Sequence, residues 1–322
     1  MEVCIRPIQG FMKSSTNKVQ DEASREAARR QHEAIDRLRY DLKNKRLVLI
    51  TGAGVTLSAT ADSSRQALSR ITWTGLIRDG LDYLVQEGHV DRLNRRTRRA
   101  YDALDEQDMD DLLDAASILR SQLDRNDLFP TWLESVFGSL YSLVRNTALL
   151  DAIKALHEHG VMLLTTNYDD LLERHCDIPR IGRSNRDNIF KFRRRDLDGV
   201  FHIHGSYHDP HEVVLDTTDY YQVQHSDDVQ DMLKAFFHDK IILFVGCGSG
   251  LEDPNFDRLL HWASEQHKNI PNRHCLLVRD GDNTNYKPLV RLKYGPNYDD
   301  LAQWLLNLIH DEDSFQRMDQ SV

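Results

Sequence analysis

Five short apolar runs constrain the fold of this chain more than any other feature of its sequence. They are nearly continuous in apolar residues rather than alternating, which is typical of parallel strands covered on both faces. Helical patterns separate most of them, as the crossovers of a parallel sheet require. We therefore predict an α/β fold, a Rossmann-like parallel sheet with helices on both faces. The predicted strands are Leu47–Ile50, Val161–Thr165, Val200–His204, Ile241–Val245 and Cys275–Val278.

The connection between the first two predicted strands is far too long for one crossover helix. From about residue 73 to residue 156 it carries several helical patterns, one of them marked by Leu112, Ala116 and Leu119. We predict an all-helical subdomain inserted early in the sheet. The domain prediction is an N-terminal tail and helix over residues 1–45, followed by one main domain over residues 46–322 that contains this insert.

The N-terminal region divides into two patterns. Met1–Lys18 has little periodicity and predicts a mobile tail. Gln20–Lys45 predicts a helix with a narrow apolar stripe that includes Ile35, Leu38 and Leu42. The stripe fits packing against the sheet and docking on another subunit equally well, and the sequence leaves both open.

Composition excludes several classes of function. A net charge of −10 argues against a general nucleic-acid binder, because phosphate contacts need a basic surface. No apolar stretch approaches the roughly 18–20 residues that span a bilayer, so no membrane partner is expected. The four cysteines are widely spaced, without a C-x-x-C pair, which predicts neither a disulfide framework nor a zinc site. This cysteine usage suits a reducing compartment, and we expect a cytoplasmic protein.

Two glycine-rich turns follow predicted strands. Gly52-Ala53-Gly54 comes after the first strand, and Gly246-Cys247-Gly248-Ser249-Gly250 comes directly after the fourth. Glycine lets a backbone approach a pyrophosphate, and a following helix supplies N–H donors. One such turn is as well explained by a structural role, but two in one sheet are what a dinucleotide needs. No G-x-x-x-x-G-K-[ST] sequence is present, which argues against a P-loop.

Polar residues that could perform chemistry follow two other strands. Asn167 and Asp169 come after the second predicted strand, and His204 comes at the end of the third. Taken alone, each is more often a turn residue or a structural histidine. His202, His204, His208 and His211 also raise a metal hypothesis. However, His202 and His204 share a face only if the strand continues through both, and no cysteine completes the set. We therefore predict no metal.

At these residues the chain resembles the SIR2 (sirtuin-like) superfamily, from about Lys45 to Leu308. Thr165-Thr166-Asn167-Tyr168-Asp169 looks like its T-x-N-x-D motif at the nicotinamide and its ribose, and His204-Gly205 looks like its H-G motif. The resemblance implies that NAD is the ligand and that Asn167 and His204 are catalytic. The residues that it assigns to NAD binding are Gly52, Ala53, Gly54, Val55, Thr56, Thr166, Asp169, Gly246, Gly248, Ser249, Arg279, Asp280 and Tyr298, of which the last three fall at the adenosine end.

Two departures separate the chain from the protein deacylases of that superfamily. Those enzymes carry a zinc module of two C-x-x-C pairs after the H-G motif, whereas Ser206–Lys240 contains no cysteine. They also follow the first glycine turn with Asp-Phe-Arg, whereas Leu57–Arg70 contains no phenylalanine. The chain thus looks like the zinc-less subgroup that includes antiphage NADases and eukaryotic filament-forming relatives.

This resemblance implies an NAD hydrolase that takes NAD as substrate, releases nicotinamide and ADP-ribose, and uses no metal. His204 would act as general base, a role that suits an imidazole. Regulation by assembly into a homo-oligomer, including a filament, is a further expectation. The alternatives are a catalytically idle oligomeric sensor of NAD or ADP-ribose and, less favoured, an NAD-dependent protein deacylase.

Overall fold

The computed structural model describes residues 10–60, 70–106, 108–248, 273–282 and 289–319. Within these ranges the strands are β1 (Leu47–Thr51), β2 (Met162–Thr165), β3 (Arg180–Ile181), β4 (Val200–His202), β5 (Ile241–Val245), β6 (Cys275–Val278) and β7 (Val290–Lys293). They form a seven-stranded sheet in the order β3-β4-β2-β1-β5-β6-β7. Every neighbouring pair is parallel, which confirms the predicted α/β, Rossmann-like fold.

Twelve α-helices in the same described ranges surround this sheet. They are α1 (Gly10–Lys43), α2 (Ala53–Ala59), α3 (Trp73–Gln86), α4 (Arg95–Glu106), α5 (Met109–Arg125), α6 (Phe129–Phe137), α7 (Ala148–Glu158), α8 (Leu171–Cys176), α9 (Arg186–Arg194), α10 (Thr217–Gln224), α11 (Asp227–Asp239) and α12 (Asp300–Asp319). Short 3-10 turns cover Leu140–Leu143 and Pro210–Glu212. None of the described helices is both long and apolar enough to cross a bilayer.

The central strand β1 explains why the strand sequences are continuously apolar. All five of its residues are buried. Leu47 and Leu49 belong to one hydrophobic cluster, and Val48 and Ile50 belong to a second cluster on the other face. A strand that buries both faces has no position for a solvated side chain, so polar residues first appear where the strand ends.

Helices α3 to α7 form the predicted insert between β1 and β2. Its apolar residues, including Leu119 and Trp132, lie in the same cluster as Leu47 and Leu49 of the sheet. The indole N–H of Trp132 donates to Asp79 at 3.0 Å, so the one polar atom of this buried ring is satisfied. The insert therefore shares a continuous core with one face of the sheet.

Helix α1 is longer than the sequence predicted. It begins at Gly10, so the expectation of a tail through Lys18 is wrong for residues 10–18. Weak apolar periodicity does not prevent a helix, and no proline interrupts Gly10–Lys43. Further along α1, the side chains of Ala34, Leu38 and Leu42 are buried in the same cluster as the insert. This part of the apolar stripe is covered by the protein's own core.

We expect Leu38→Ala to lower the free energy of unfolding by about 2–5 kcal/mol, because Leu38 is fully buried and the surrounding core cannot collapse into the cavity. The matched control is Leu93→Ala, since Leu93 is 79% exposed and should change stability by less than about 0.5 kcal/mol. Urea unfolding of both variants measures the difference. Equal stabilities would mean that α1 does not dock on the core in solution.

Three predicted strands needed correction at their ends, and two strands were missed. β1 continues to Thr51, β2 starts one residue later than predicted, and β4 ends at His202 rather than His204. β3 was missed because it has only two residues. β7 was missed because only Leu292 of its four residues is fully buried, which weakens the apolar pattern.

Candidate active site

The ends of four strands lie in one row across the sheet. Thr51 of β1 pairs with Thr165 of β2 on one side and with Val245 of β5 on the other. Thr165 pairs in turn with His202 of β4. Residues that follow these strands therefore leave the sheet at one edge. The chain moves from β1 first toward β2 and later to β5 on the opposite side, so this edge includes the topological switch point where α/β sheets bind ligands.

The two glycine-rich turns contact each other at this switch point. The Gly54 N–H donates to the Gly246 carbonyl at 2.8 Å, and the Gly52 N–H donates to Val245 at 3.0 Å. A Cβ added at Gly52 or Gly54 would lie 2.8 or 2.7 Å from backbone atoms of the other turn. Gly246 itself has a left-handed φ of 66°. Close packing of the turns thus requires these glycines, whatever ligand they also approach.

The start of α2 places two predicted binding residues inside the protein. Helix α2 begins at Ala53, and the side chains of Val55 and Thr56 are both buried. Val55 belongs to the hydrophobic core. The Thr56 hydroxyl donates to Asp169 Oδ2 at 2.7 Å. Both side chains therefore lie inside the protein, beneath the turn.

Asn167 is held by the first glycine turn. Its Nδ2 donates to Thr56 Oγ1 at 3.0 Å and to the Gly52 carbonyl at 3.2 Å. The carbonyl acceptor fixes which amide atom is nitrogen, because only an N–H can face it. Both amide hydrogens are engaged, so the side chain presents Oδ1 as an acceptor. The preceding residue is fixed as well, since the Thr166 N–H donates to Thr51 at 3.0 Å.

Asp169 supports this loop from the interior. Its Oδ1 accepts the Leu171 N–H at 3.1 Å, and its Oδ2 accepts the Thr56 hydroxyl. Burial raises the pKa of Asp169 to about 6, although both hydrogen bonds lower it. In this arrangement Asp169 positions Thr56, and through it Asn167. The contact of Asp169 with the nicotinamide end of NAD that the resemblance implies stays a prediction.

His204 follows β4 in a sharp turn. The Ile203 N–H donates to Thr165 at 2.9 Å, which ties this turn to the end of β2. The buried imidazole of His204 packs edge-on against Tyr220, with ring centroids 5.8 Å apart. Gly205 has a φ of 76°, and a Cβ there would overlap the Glu212 carbonyl. The H-G pair therefore combines a buried imidazole with a glycine that lets the chain turn away at once.

The early end of β4 bears on the metal hypothesis. His202 is the last strand residue, so His202 and His204 do not share a strand face. His202 pairs with Glu173, and His208 donates to Asp170 at 2.9 Å. In the part of the chain that the structure describes, no three His, Cys, Asp or Glu side chains are grouped to hold a metal ion.

The predicted adenosine-end residues lie at the same sheet edge, after β6 and before α12. The guanidinium of Arg279 lies over the Tyr298 ring, 4.7 Å from its centroid, and Tyr298 is 65% exposed. The Asp280 N–H donates to Gly295 at 2.9 Å, while its side chain is exposed. Gly248 ends the described part of its turn, and Ser249 lies outside the described residues.

Two buried carboxylates at this edge were missed by the sequence reasoning. Glu173 pairs with His202, and Glu212 accepts the backbone N–H groups of Arg183 and Ser184, each at 2.9 Å. The Glu212 contacts tie the loop after β3 to the turn that follows the H-G pair. A signal was available for Glu173, since it is an acidic residue between apolar positions of a short helix directly after Asp169.

Residues 161–299 match the family model of the SIR2-like domain. This segment of the chain is therefore similar to the SIR2-like domain. The matched range includes Asn167, Asp169, His204 and the second glycine turn, whereas the first glycine turn precedes it. Sheet order and hydrogen bonds bring that first turn into contact with the matched segments, so the candidate site is built from both parts of the chain.

The raised pKa of Asp169 predicts a pH dependence of stability. The unfolded chain releases this proton near 3.8, whereas the folded protein keeps it to about 6. The folded state therefore binds more protons in this interval, and stability should fall as pH rises from about 4 to 6. The shift corresponds to roughly 3 kcal/mol. Asp169→Asn should remove this fall, as measured by urea unfolding across that range.

The matched control for this measurement is Asp151→Asn. Burial raises the pKa of Asp151, but hydrogen bonds from Thr147 and His175, together with the charges of His175 and Lys154, hold it below its ordinary value. The contribution of Asp151 to stability is therefore lost only below about pH 4, so Asp151→Asn should leave the slope between pH 4 and 6 nearly unchanged. Identical slopes for Asp169→Asn and the unmodified protein would contradict the assignment of the raised pKa to Asp169.

Proposed function

We propose that this SIR2-like protein is an NAD glycohydrolase that cleaves the bond between nicotinamide and ribose. The observation that carries the proposal is the fixed orientation of Asn167 beside the first glycine turn. Its amide N–H groups bind Thr56 and Gly52, so Oδ1 is left to accept a ribose hydroxyl or a water. His204 follows the neighbouring strand end. The two turns at the switch point are suited to the pyrophosphate of the same molecule.

The chemistry demands little acid assistance, because the positively charged nicotinamide of NAD leaves as a neutral molecule. The glycosidic C–N bond breaks with its electron pair on nitrogen, and an oxocarbenium-like ribose develops. A water oxygen then bonds to that carbon and gives up a proton. Asn167 positions the ribose hydroxyls and water, and His204 acts as general base toward either. The products are nicotinamide and ADP-ribose.

The connection after the H-G pair favours water over an acyl-lysine peptide as the acceptor. Ser206–Lys240 contains no cysteine, so it lacks the paired ligands of a deacylase zinc module. A 3-10 turn and helices α10 and α11 occupy this stretch, with Val214, Tyr220 and Val223 buried against the sheet. The segment is thus a compact part of the core rather than a separate peptide-binding module.

The test is to incubate purified protein with NAD, with and without acetyl-lysine peptides, and to quantify nicotinamide. We expect release without peptide, at a rate that peptide does not increase. Release only in the presence of peptide would establish the deacylase instead. Tight binding of NAD with no release under either condition would establish an idle sensor.

We also propose that the active form is a homo-oligomer. The buried part of the α1 stripe cannot serve as its interface, and we propose that the insert contributes to it. The α4–α5 hairpin carries exposed Arg95, Arg96 and Arg98 at one end and exposed Asp102 and Asp105 at the other. Such a charge separation is complementary to a second copy arranged head to tail. Light scattering at low and high salt tests this, and a monomer at every concentration and salt would refute it.

A further inference from the structure

One imidazole contacts both of the segments that hold the proposed catalytic residues. Nδ1 of His202 lies 3.1 Å from the Asn167 carbonyl oxygen and 3.2 Å from the Gly205 carbonyl oxygen. Carbonyl oxygens only accept hydrogen bonds, so Nδ1 must carry the proton and share it between them. A single N–H group therefore joins the Asn167 loop to the turn that contains His204.

The other ring nitrogen is anchored just as firmly. Nε2 of His202 lies 2.5 Å from Glu173 Oε1, and the His202 side chain is fully buried. Burial alone lowers the pKa of His202, but the charges of Glu173 and nearby Asp169 raise it above its usual value. With a proton on Nδ1, this pair holds an additional proton between Nε2 and Glu173. The positive charge that this proton gives to the His202 imidazole strengthens the hydrogen bonds from Nδ1 to both carbonyl oxygens.

Glu173 has no competing partner within the described residues. Its Oε2 is buried and makes no hydrogen bond there, so the carboxylate is committed to His202. Glu173 lies on α8, which begins two residues after Asp169, so the same short segment carries Asn167 and the anchor of its clamp. A buried ion pair is weak support for stability, because desolvation offsets its attraction. The His202–Glu173 pair is therefore better explained by the precise placement of the two segments that His202 joins than by added stability.

We propose that His202 and Glu173 are positioning residues that clamp Asn167 and His204 in register for glycosidic bond cleavage. This inference rests on the proposed function. It assigns His202 no contact with substrate, because its ring is fully buried and both nitrogens are bonded within the protein. Displacing a catalytic group by about 1 Å can cost about 100-fold in rate, which sets the expected scale.

Two nearly isosteric variants separate the two halves of the clamp. In His202→Gln the amide lies where Nε2 was, so the contact with Glu173 survives and the bridge to the carbonyls is lost. In His202→Asn the amide nitrogen takes the place of Nδ1, so the bridge survives and the anchor is lost. We expect His202→Gln to lower kcat about 100-fold with little change in KM, because ground-state binding is untouched. His202→Asn and Glu173→Gln should each lose less.

His157 provides a matched control elsewhere in the fold. Its Nδ1 lies 3.1 Å from the Val161 carbonyl and its Nε2 lies 3.2 Å from Asp198, which is the same bridging arrangement. It precedes β2, at the opposite edge of the sheet from the site. His157→Gln and His157→Asn should keep the kcat of the unmodified protein per folded molecule. Equal kcat for His202→Gln and the unmodified protein would overturn the clamp.

Hydrogen exchange of the unliganded protein distinguishes failure of the clamp from failure of the proposed function. In His202→Gln, backbone amides of residues 166–170 and 203–206 should exchange faster than in the unmodified protein. In His157→Gln, exchange of the same amides should increase less. If the unmodified protein releases no nicotinamide, the proposed function fails while this result still decides the clamp. Unchanged exchange in both segments would overturn the clamp even if NAD is hydrolysed.

Discussion

Replacing His204 by alanine should lower kcat for NAD hydrolysis by about 10²–10⁴-fold, the usual loss when a general base is removed. Asn167→Ala should lose activity on a similar scale, because the ribose hydroxyls and water lose the acceptor that places them. Each effect arises in the transition state, so kcat should fall more than KM rises. Nicotinamide release at saturating NAD, measured per folded molecule, gives both values.

The matched control for these variants is His211→Ala. His211 lies in the same connection as His204, in the Pro210–Glu212 turn, but it is exposed. It should keep the activity of the unmodified protein. Thermal unfolding of all three variants establishes that each is folded under the assay conditions. Near-normal activity of folded His204→Ala would refute the proposed base.

Replacing Gly205 by alanine should destabilise the protein severely. Its φ of 76° disfavours any side chain, and a Cβ would overlap the Glu212 carbonyl. The left-handed conformation costs roughly 1–2 kcal/mol. Overlap with backbone atoms that cannot move away adds at least another 1–3 kcal/mol. Urea unfolding should show the combined loss, together with reduced NAD turnover as the H-G turn shifts.

Gly88→Ala separates these two contributions. Gly88 has nearly the same φ, 75°, but no atom lies within 4 Å of its added Cβ. Its alanine variant should therefore show only the conformational cost. Equal destabilisation at Gly88 and Gly205 would mean that the Gly205 turn does not pack on Glu212 as described.

The sheet was predictable from sequence because buried parallel strands have a distinctive composition. All residues of β5 and β6 are buried, and both strands were predicted with their observed bounds. β3 and β7 lie at the two edges of the sheet and have fewer buried residues, so their sequences lack that signal. The N-terminal start of α1 was missed because apolar periodicity reports packing rather than helix formation.

The sequence showed which candidate site residues follow strand ends, but not the contacts among them. Strand ends indicated Asn167 and His204 as candidates, because polar residues first appear there in a sheet buried on both faces. No local pattern indicated that Gly54 is required by the packing of Gly246, since those residues are distant in sequence. The clamp by His202 was missed for the same reason.

The central claim of this account is that NAD binds across the row of strand ends. A crystal structure of the His204→Ala variant with NAD tests it most directly, since slow turnover should preserve the intact ligand. We predict the pyrophosphate at the two glycine turns, the nicotinamide ribose within hydrogen-bonding distance of Asn167 Oδ1, and the adenosine end toward Arg279 and Tyr298. NAD bound elsewhere, or no bound nucleotide at concentrations that saturate the unmodified protein, would contradict the account.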